Sequence, residues 1–299
     1  MMHLQKIKTK AFTLIEMLVA TAVMAILVTI VLGITTDFLN VWTKTSNKLS
    51  SSTDAKFAMD IITKDLAGAV LRNNGSEWME TALGSTGSNT YSSTNTSVLT
   101  FFSAITDRNQ NAGAIPGDIC AVAYDLKEQR LFDPNWSFNT FALYRTLVDA
   151  DDTFTHFFGF TDLSAGWGDT GTNKAPYDPY PSGDDPDIGN LLVQNVVRFQ
   201  ILVTYTDTAG VQVVDDPSKT SGAQEPEHTF PVVGSASPAT AFGTPLYADV
   251  VLAIVSEEGA KVLDAHLSGE RSDFSNLNQI IVRYGKTFTQ RVVFQNTPL

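Results

Sequence analysis

Few residues in this chain are typed and spaced for chemistry. Inside the apolar run from Phe12 to Ile34 stands one carboxylate, Glu16, close behind a basic leader that holds Lys6, Lys8 and Lys10. A carboxylate in hydrocarbon costs about 3 kcal/mol unless it reaches the headgroups or finds a partner, so Glu16 is a group in search of a cation or a donor. Two acidic stretches offer oxygen ligands suited to Ca²⁺: Asp149, Asp151 and Asp152 in "VDADDT", and Asp184, Asp185 and Asp187 in "SGDDPDIG". Neither ends in the bidentate glutamate of an EF-hand, so the expectation is two solvated acidic loops, with calcium the weak alternative and no other cofactor.

The remaining candidates point away from catalysis. The one cysteine, Cys120, can form no intrachain disulfide or thiolate zinc site, and its run "DICAVAYDL" predicts a small buried core residue. His3, His156, His228 and His266 are scattered, with no HExxH and no G-x-S-x-G, and "GSTGSNT" lacks the Gly-Lys-Ser/Thr ending of a phosphate loop. No catalytic residue follows, and an enzyme is not expected.

Charge narrows the partners. Residues 1–11 carry three lysines and no acid, residues 12–72 balance five acids with five bases, and residues 73–299 hold 12 bases against 27 acids, a net of −15. Such a domain repels phosphate backbones, which excludes nucleic acid, and suits a soluble extracytoplasmic space.

The element that must position Glu16 is a helix. At ~1.5 Å per residue, 23 apolar residues make about 35 Å, enough to cross a ~30 Å hydrocarbon core, and the leading lysines keep Met1–Lys10 in the cytoplasm. A cleaved signal peptide ending at Ala20-Thr21-Ala22 fits poorly, because Glu16 interrupts its apolar core and the run continues past the cut. With no proline between Phe12 and Leu71, one helix is expected to run to about Leu71. After Ile34 its apolar positions thin to a stripe, Phe38, Trp42, Leu49, Phe57 and Ile61, expected to face a core, with Ile62, Leu66 and Val70 on an adjoining face. Gly33 is either a weak point of that helix or a close-packing position.

Beyond it, residues 73–97 and 149–190 read as long polar loops, and 207–244 as a third. Strand patterns occupy 97–105, 117–126, 129–133, 138–148, 191–207, 245–256 and 286–296, with a hairpin over Tyr124–Leu131 turning near Lys127-Glu128. Ser256 is placed to cap a short helix, "EEGAKVLDAH". The expected organisation is a leader (1–11), a transmembrane or filament-core helix (12–34), its amphipathic continuation (35–72) and a β-rich head (73–299). The fold class is α+β: a long N-terminal α-helix, half of it transmembrane, with an antiparallel β-rich globular domain.

"KAFTLIEMLVATAVMAIL" closely resembles the class III leader of type IV pilins and type II secretion pseudopilins: a short basic leader, a small residue, Phe-Thr-Leu, and a glutamate fifth after the cut. The resemblance implies cleavage by prepilin peptidase between Ala11 and Phe12, N-methylation of Phe12, and assembly through Glu16. The family more often has Gly where Ala11 stands. "STDAKFAMDIITKDLAGAVLR" is similar to J-type minor pseudopilins and W-type minor pilins, matching Ala55, Lys56, Phe57, Ala58, Asp65 and Leu66, and "LYR" and "FTQRV" are similar to Verru-Chthon cassette protein C. The implied role is a minor pilin or pseudopilin of a type II secretion or pilus-like filament or its tip. Its implied place is the inner membrane, crossed once, with the head periplasmic or in an extracytoplasmic filament. The implied partners are prepilin peptidase, other pilin subunits, the inner-membrane assembly platform and membrane lipid. The alternatives are a signal-anchored extracytoplasmic binding protein that never polymerises, and a surface adhesive pilin.

Overall fold

The computed structural model describes residues 13–70, 77–83, 97–105, 119–129, 140–157, 163, 191–206, 210–215, 228–231, 245–274 and 276–294. Two compact units divide the chain, Met1–Asn47 and Lys48–Leu299. An α+β architecture results, with a long apolar N-terminal helix followed by an antiparallel β domain.

Helix α1 runs unbroken over Leu14–Ala67, through Gly33. It stops at Gly68, where a Cβ would lie 2.9 Å from Ser103 Oγ and 3.3 Å from the Ala104 carbonyl. The close approach is used: Ala104 N–H donates to the Gly68 carbonyl (2.8 Å), Val70 N–H to Phe102 O (2.9 Å) and Ser103 Oγ to Asp65 O (2.7 Å). The helix end is thus satisfied by a neighbouring strand instead of a cap of its own.

The face of α1 that docks is not the expected aromatic stripe. Phe38, Trp42, Leu49 and Phe57 are all more than 60% exposed and Ile61, the last of the stripe, is half-buried, while Ala55, Ala58, Met59, Ile62 and Leu66 are buried. At ~100° per residue the two sets lie roughly two-fifths of a turn apart. Spacing groups the aromatics on one face but cannot say which face meets the domain. Ala55 and Ala58 let the helix backbone approach closely, as a Phe or Trp could not, and Ile62 and Leu66, expected on an adjoining face, supply the apolar burial, about 1.5–3 kcal/mol each.

The β domain has two sheets. The first, in the order β5-β4-β3-β2-β1-β8, comprises β1 (Glu77–Leu83), β2 (Ser97–Ala104), β3 (Ile119–Gln129), β4 (Thr140–Val148), β5 (Leu191–Gln194) and β8 (His228–Pro231). The second, β10-β9-β6-β7, comprises β6 (Val196–Thr206), β7 (Gln212–Asp215), β9 (Pro245–Val255) and β10 (Gly285–Val293). Short helices α2 (Ala150–His156), α3 (Glu257–Leu267) and α4 (Leu277–Tyr284) complete the described elements.

Alternation of side chains builds the layers. One face of the first sheet turns Phe101 and Tyr124 inward, stacked at 6.4 Å, and Tyr124 meets Phe199 of the second sheet at 6.2 Å. The opposite face carries Phe102 against Phe157 beyond α2 (6.3 Å), and Ala121 N–H donates to Thr153 Oγ1 in α2. In β6, Val197, Phe199, Ile201 and Val203 are buried, as their alternation predicts.

Several expectations are corrected. No hairpin turns at Lys127-Glu128: β3 continues to Gln129, with Lys127 opposite Ala142 and Glu128 opposite Phe141. The run 191–207 is two strands in different sheets, parted at Asn195, whose φ of 59° breaks the extended chain. Its side chain holds the break by accepting from Thr140 Oγ1 (2.7 Å), and its carbonyl accepts from Val255 N–H. The loop expected over 73–97 contains β1, that over 149–190 contains α2, and that over 207–244 contains β7 and β8. Residues 130–133 lie outside those described. Ser256 does cap α3, accepting from Gly259 N–H.

Candidate functional site

Thr13 and Glu16 form a reciprocal cap at the start of α1. Glu16 Oε2 accepts from the Thr13 backbone N–H and from its hydroxyl, both at 2.9 Å, while Thr13 Oγ1 accepts from Glu16 N–H at 3.3 Å. This is the Thr-x-x-Glu capping box, which ties the first turn together and satisfies donors that a helix start otherwise leaves open. The carboxylate at the head of the apolar run therefore has hydrogen-bond partners within its own chain. Ala11 and Phe12, the expected cleavage and methylation positions, lie outside the described residues.

Behind the cap, as far as Ile34, the helix surface is apolar apart from Thr21 and Thr29. The side chains from Leu14 to Ile34 are exposed all round, and α1 contains a window of mean hydropathy 2.7 with none of it buried. By length and composition α1 can cross a membrane. Its threonines do not oppose this: Thr29 and Thr35 hydroxyls donate to the carbonyls one turn back, Ala25 O and Val31 O, at 2.8 Å. A helix that satisfies its hydroxyls internally presents less polarity to lipid.

Asp149, Asp151 and Asp152 form no group that could hold a metal ion among the described residues. Asp149 is the N-cap of α2, its Oδ1 accepting from Asp152 N–H at 3.1 Å, and Asp151 and Asp152 occupy the first helical turn, where acids complement the helix dipole. Their clustering thus has a local structural cause. Asp184, Asp185 and Asp187 lie outside the described residues. Cys120 is buried in β3, and His266 Nδ1 lies 3.3 Å from the Arg271 carbonyl at the end of α3.

A buried polar cluster joins the helix to the sheet, and residue spacing gave no sign of it. Asp65 of α1 receives two bonds from Arg145 of β4, Nε to Oδ2 at 2.7 Å and Nη2 to Oδ1 at 3.1 Å, and a third from the Tyr124 hydroxyl of β3 at 2.5 Å. Burial pushes the Tyr124 phenol well above its ordinary range, and the Asp65 charge adds to this. Burial works to lower the Arg145 guanidinium, but its hydrogen bonds to Asp65 and the nearby negative charge prevail and raise it. The cluster is a clamp, since the three bonds that the Asp65 carboxylate accepts hold α1 to β3 and β4. The available signal was in the quoted motifs: Asp65-Leu66 closes the helix pattern and Arg145 ends "LYR".

Residues 6–32 match the family model described as the Prokaryotic N-terminal methylation motif. The match spans 27 of the 299 residues and shows the N-terminal methylation motif itself. One long apolar N-terminal helix beside that motif is consistent with single-pass inner-membrane anchoring. No curated protein and no solved structure matches the chain.

Proposed function

We propose that the chain is the precursor of a minor pilin or pseudopilin: prepilin peptidase cuts between Ala11 and Phe12, Phe12 is N-methylated, and the subunit enters a type II secretion or pilus-like filament or its tip. The observation that carries this is the methylation motif over residues 6–32 on a helix that continues unbroken from Leu14 to Ala67. Support also comes from the large apolar side chains that α1 leaves exposed: Phe38 and Trp42, stacked at 6.3 Å, and Leu49 and Phe57. Such exposed side chains are costly in water and suit burial against other subunits. The J-type or W-type resemblance and the likeness to Verru-Chthon cassette protein C are the finer form of the same proposal. The role is structural and non-catalytic, with the head periplasmic or extracytoplasmic. Mass spectrometry of the protein purified from its native membrane tests it. A start at methylated Phe12 is expected; a start at Met1, or after Ala22, overturns it.

A further inference from the structure

We infer that the end of α4 and the start of β10 form a contact patch for anionic phospholipid headgroups, built from Lys48, Val282, Arg283 and Lys286. This rests on the membrane-anchored function proposed above. α4 buries Ile280 and Ile281 and turns Val282 outward. Val282 is 83% exposed, the highest value for a large apolar side chain among the described residues of Lys48–Leu299. Beside it the Arg283 guanidinium lies 5.5 Å from the Tyr284 ring and 6.0 Å from Phe274, and Lys286 Nζ lies 5.0 Å from the Phe288 ring. Cations based on aromatic rings, next to an exposed aliphatic group, are the make-up of a surface that meets headgroups and upper acyl chains.

Lys48 adds a third cation. Its Nζ donates to the Arg283 carbonyl at 3.2 Å, at the C-terminal end of α4, where the helix dipole favours positive charge. No acid occurs after Asp273, and the third base of this stretch, Arg291, is held by Asp249 through two bonds of 2.7 and 2.8 Å. The acids near it are Glu257 and Glu258 in the first turn of α3, whose cap Ser256 donates its N–H to the Tyr284 carbonyl, Asp273 beside Phe274, held by Arg271 at 3.1 Å, and Asp54, which lines a cleft with Ile254 opposite Lys286. Glu257 is occupied by Lys261 at 2.7 Å. On a chain region whose net charge is −15, an anionic bilayer repels most of the surface and is met through this patch.

Lys48 follows Ile34, the last residue of the apolar run, by 14 residues. The patch and the proposed anchor are thus tethered by a short stretch of one chain, which keeps the patch at high local concentration near the bilayer.

The test uses the full chain reconstituted in phosphatidylcholine vesicles with and without phosphatidylglycerol. An environment-sensitive dye is placed at Val282→Cys, and at Val211→Cys as the control; Cys120, fully buried, stays unlabelled. Phosphatidylglycerol is expected to shift the dye at position 282, but not at 211, towards an apolar environment. Added salt should reverse the shift, and Lys286→Gln should lower the ratio of lipid-contacting to free dye about fivefold, with the thermal midpoint unchanged. A dye at 282 that stays in water in both lipids, while the protein floats with the vesicles, overturns the patch and leaves the anchor intact. Protein that does not float overturns the anchor and the patch together.

Discussion

Asp65 on α1 and Arg145 on β4, eighty residues apart, meet in a two-pronged ion pair of 2.7 and 3.1 Å that fixes the long helix to the sheet. Their side chains are only 5% and 16% exposed, so the pair is shielded from screening by salt. Removing one partner strands the other charge, and breaking such pairs costs about 3–5 kcal/mol. Asp65→Ala should therefore lower unfolding free energy by about that amount in urea titrations. Replacing both residues with apolar ones of similar size should recover much of it. An Asp65→Ala protein as stable as the parent would show that the clamp holds nothing.

Tyr124 completes the clamp and gives it a pH dependence. The phenol is raised in the folded protein, so folding resists its ionisation while the unfolded chain ionises near pH 10. The unfolded state then releases its proton first, and the stability present below about pH 10 is lost as pH rises towards the folded value. Thermal melts should show a decline above about pH 10 that Tyr124→Phe flattens. An unchanged alkaline limb in Tyr124→Phe would remove Tyr124 as its source.

These pairs show where sequence reasoning stops. The apolar run, the helix, the Ser256 cap and strands β2, β4, β6 and β9 were legible because each follows local periodicity or capping chemistry. What was not legible depends on partners distant in sequence. Phe57 and Ala58 are neighbours in the chain, yet the Phe is exposed and the Ala is buried, because the sheet accepts the smaller face. β3 passes through Lys127-Glu128 because β4 pairs with it there, against a local turn signal. β1 hid in a polar stretch for the same reason, its register being set by β2 and β8. At the N-terminus, Glu16 stood out as an acid in an apolar run, whereas its partner Thr13 was not recognised as a cap.

Gly285 is a packing constraint at the junction of α4 and β10. A Cβ there would lie 2.3 Å from the Ile254 carbonyl oxygen, a backbone atom that cannot swing aside. Gly285→Ala should cost about 1–3 kcal/mol by forcing β9 and β10 apart. Denaturant titration of the variant checks this, and a loss within error would mean that the strands part freely.

Asp149 separates capping from metal binding. As the N-cap of α2 it holds Asp152 N–H, and its replacement by alanine should cost about 1 kcal/mol. A cap gives the same cost with Ca²⁺ or with chelator, whereas a ligand gives a cost that appears only with Ca²⁺. Paired melts of parent and Asp149→Ala in both solutions decide between the two.

Glu16 bears most directly on the proposed function. In the capping box Thr13 occupies one of its oxygens, Oε2, leaving Oε1 as a lone-pair site on a carboxylate already fixed in direction. A positioned carboxylate at the head of an apolar helix can meet the amine that leader removal creates at Phe12, in its own or an adjacent subunit, and that pairing offsets the cost of leaving the headgroup layer. Thr13→Val should loosen the carboxylate but keep its charge, and Glu16→Ala should remove both. Both variants should still lose residues 1–11. Co-purification with partner subunits should fall modestly for Thr13→Val and severely for Glu16→Ala. Equal and normal incorporation of both variants would show that the cap serves only the helix start and that assembly takes its register from elsewhere.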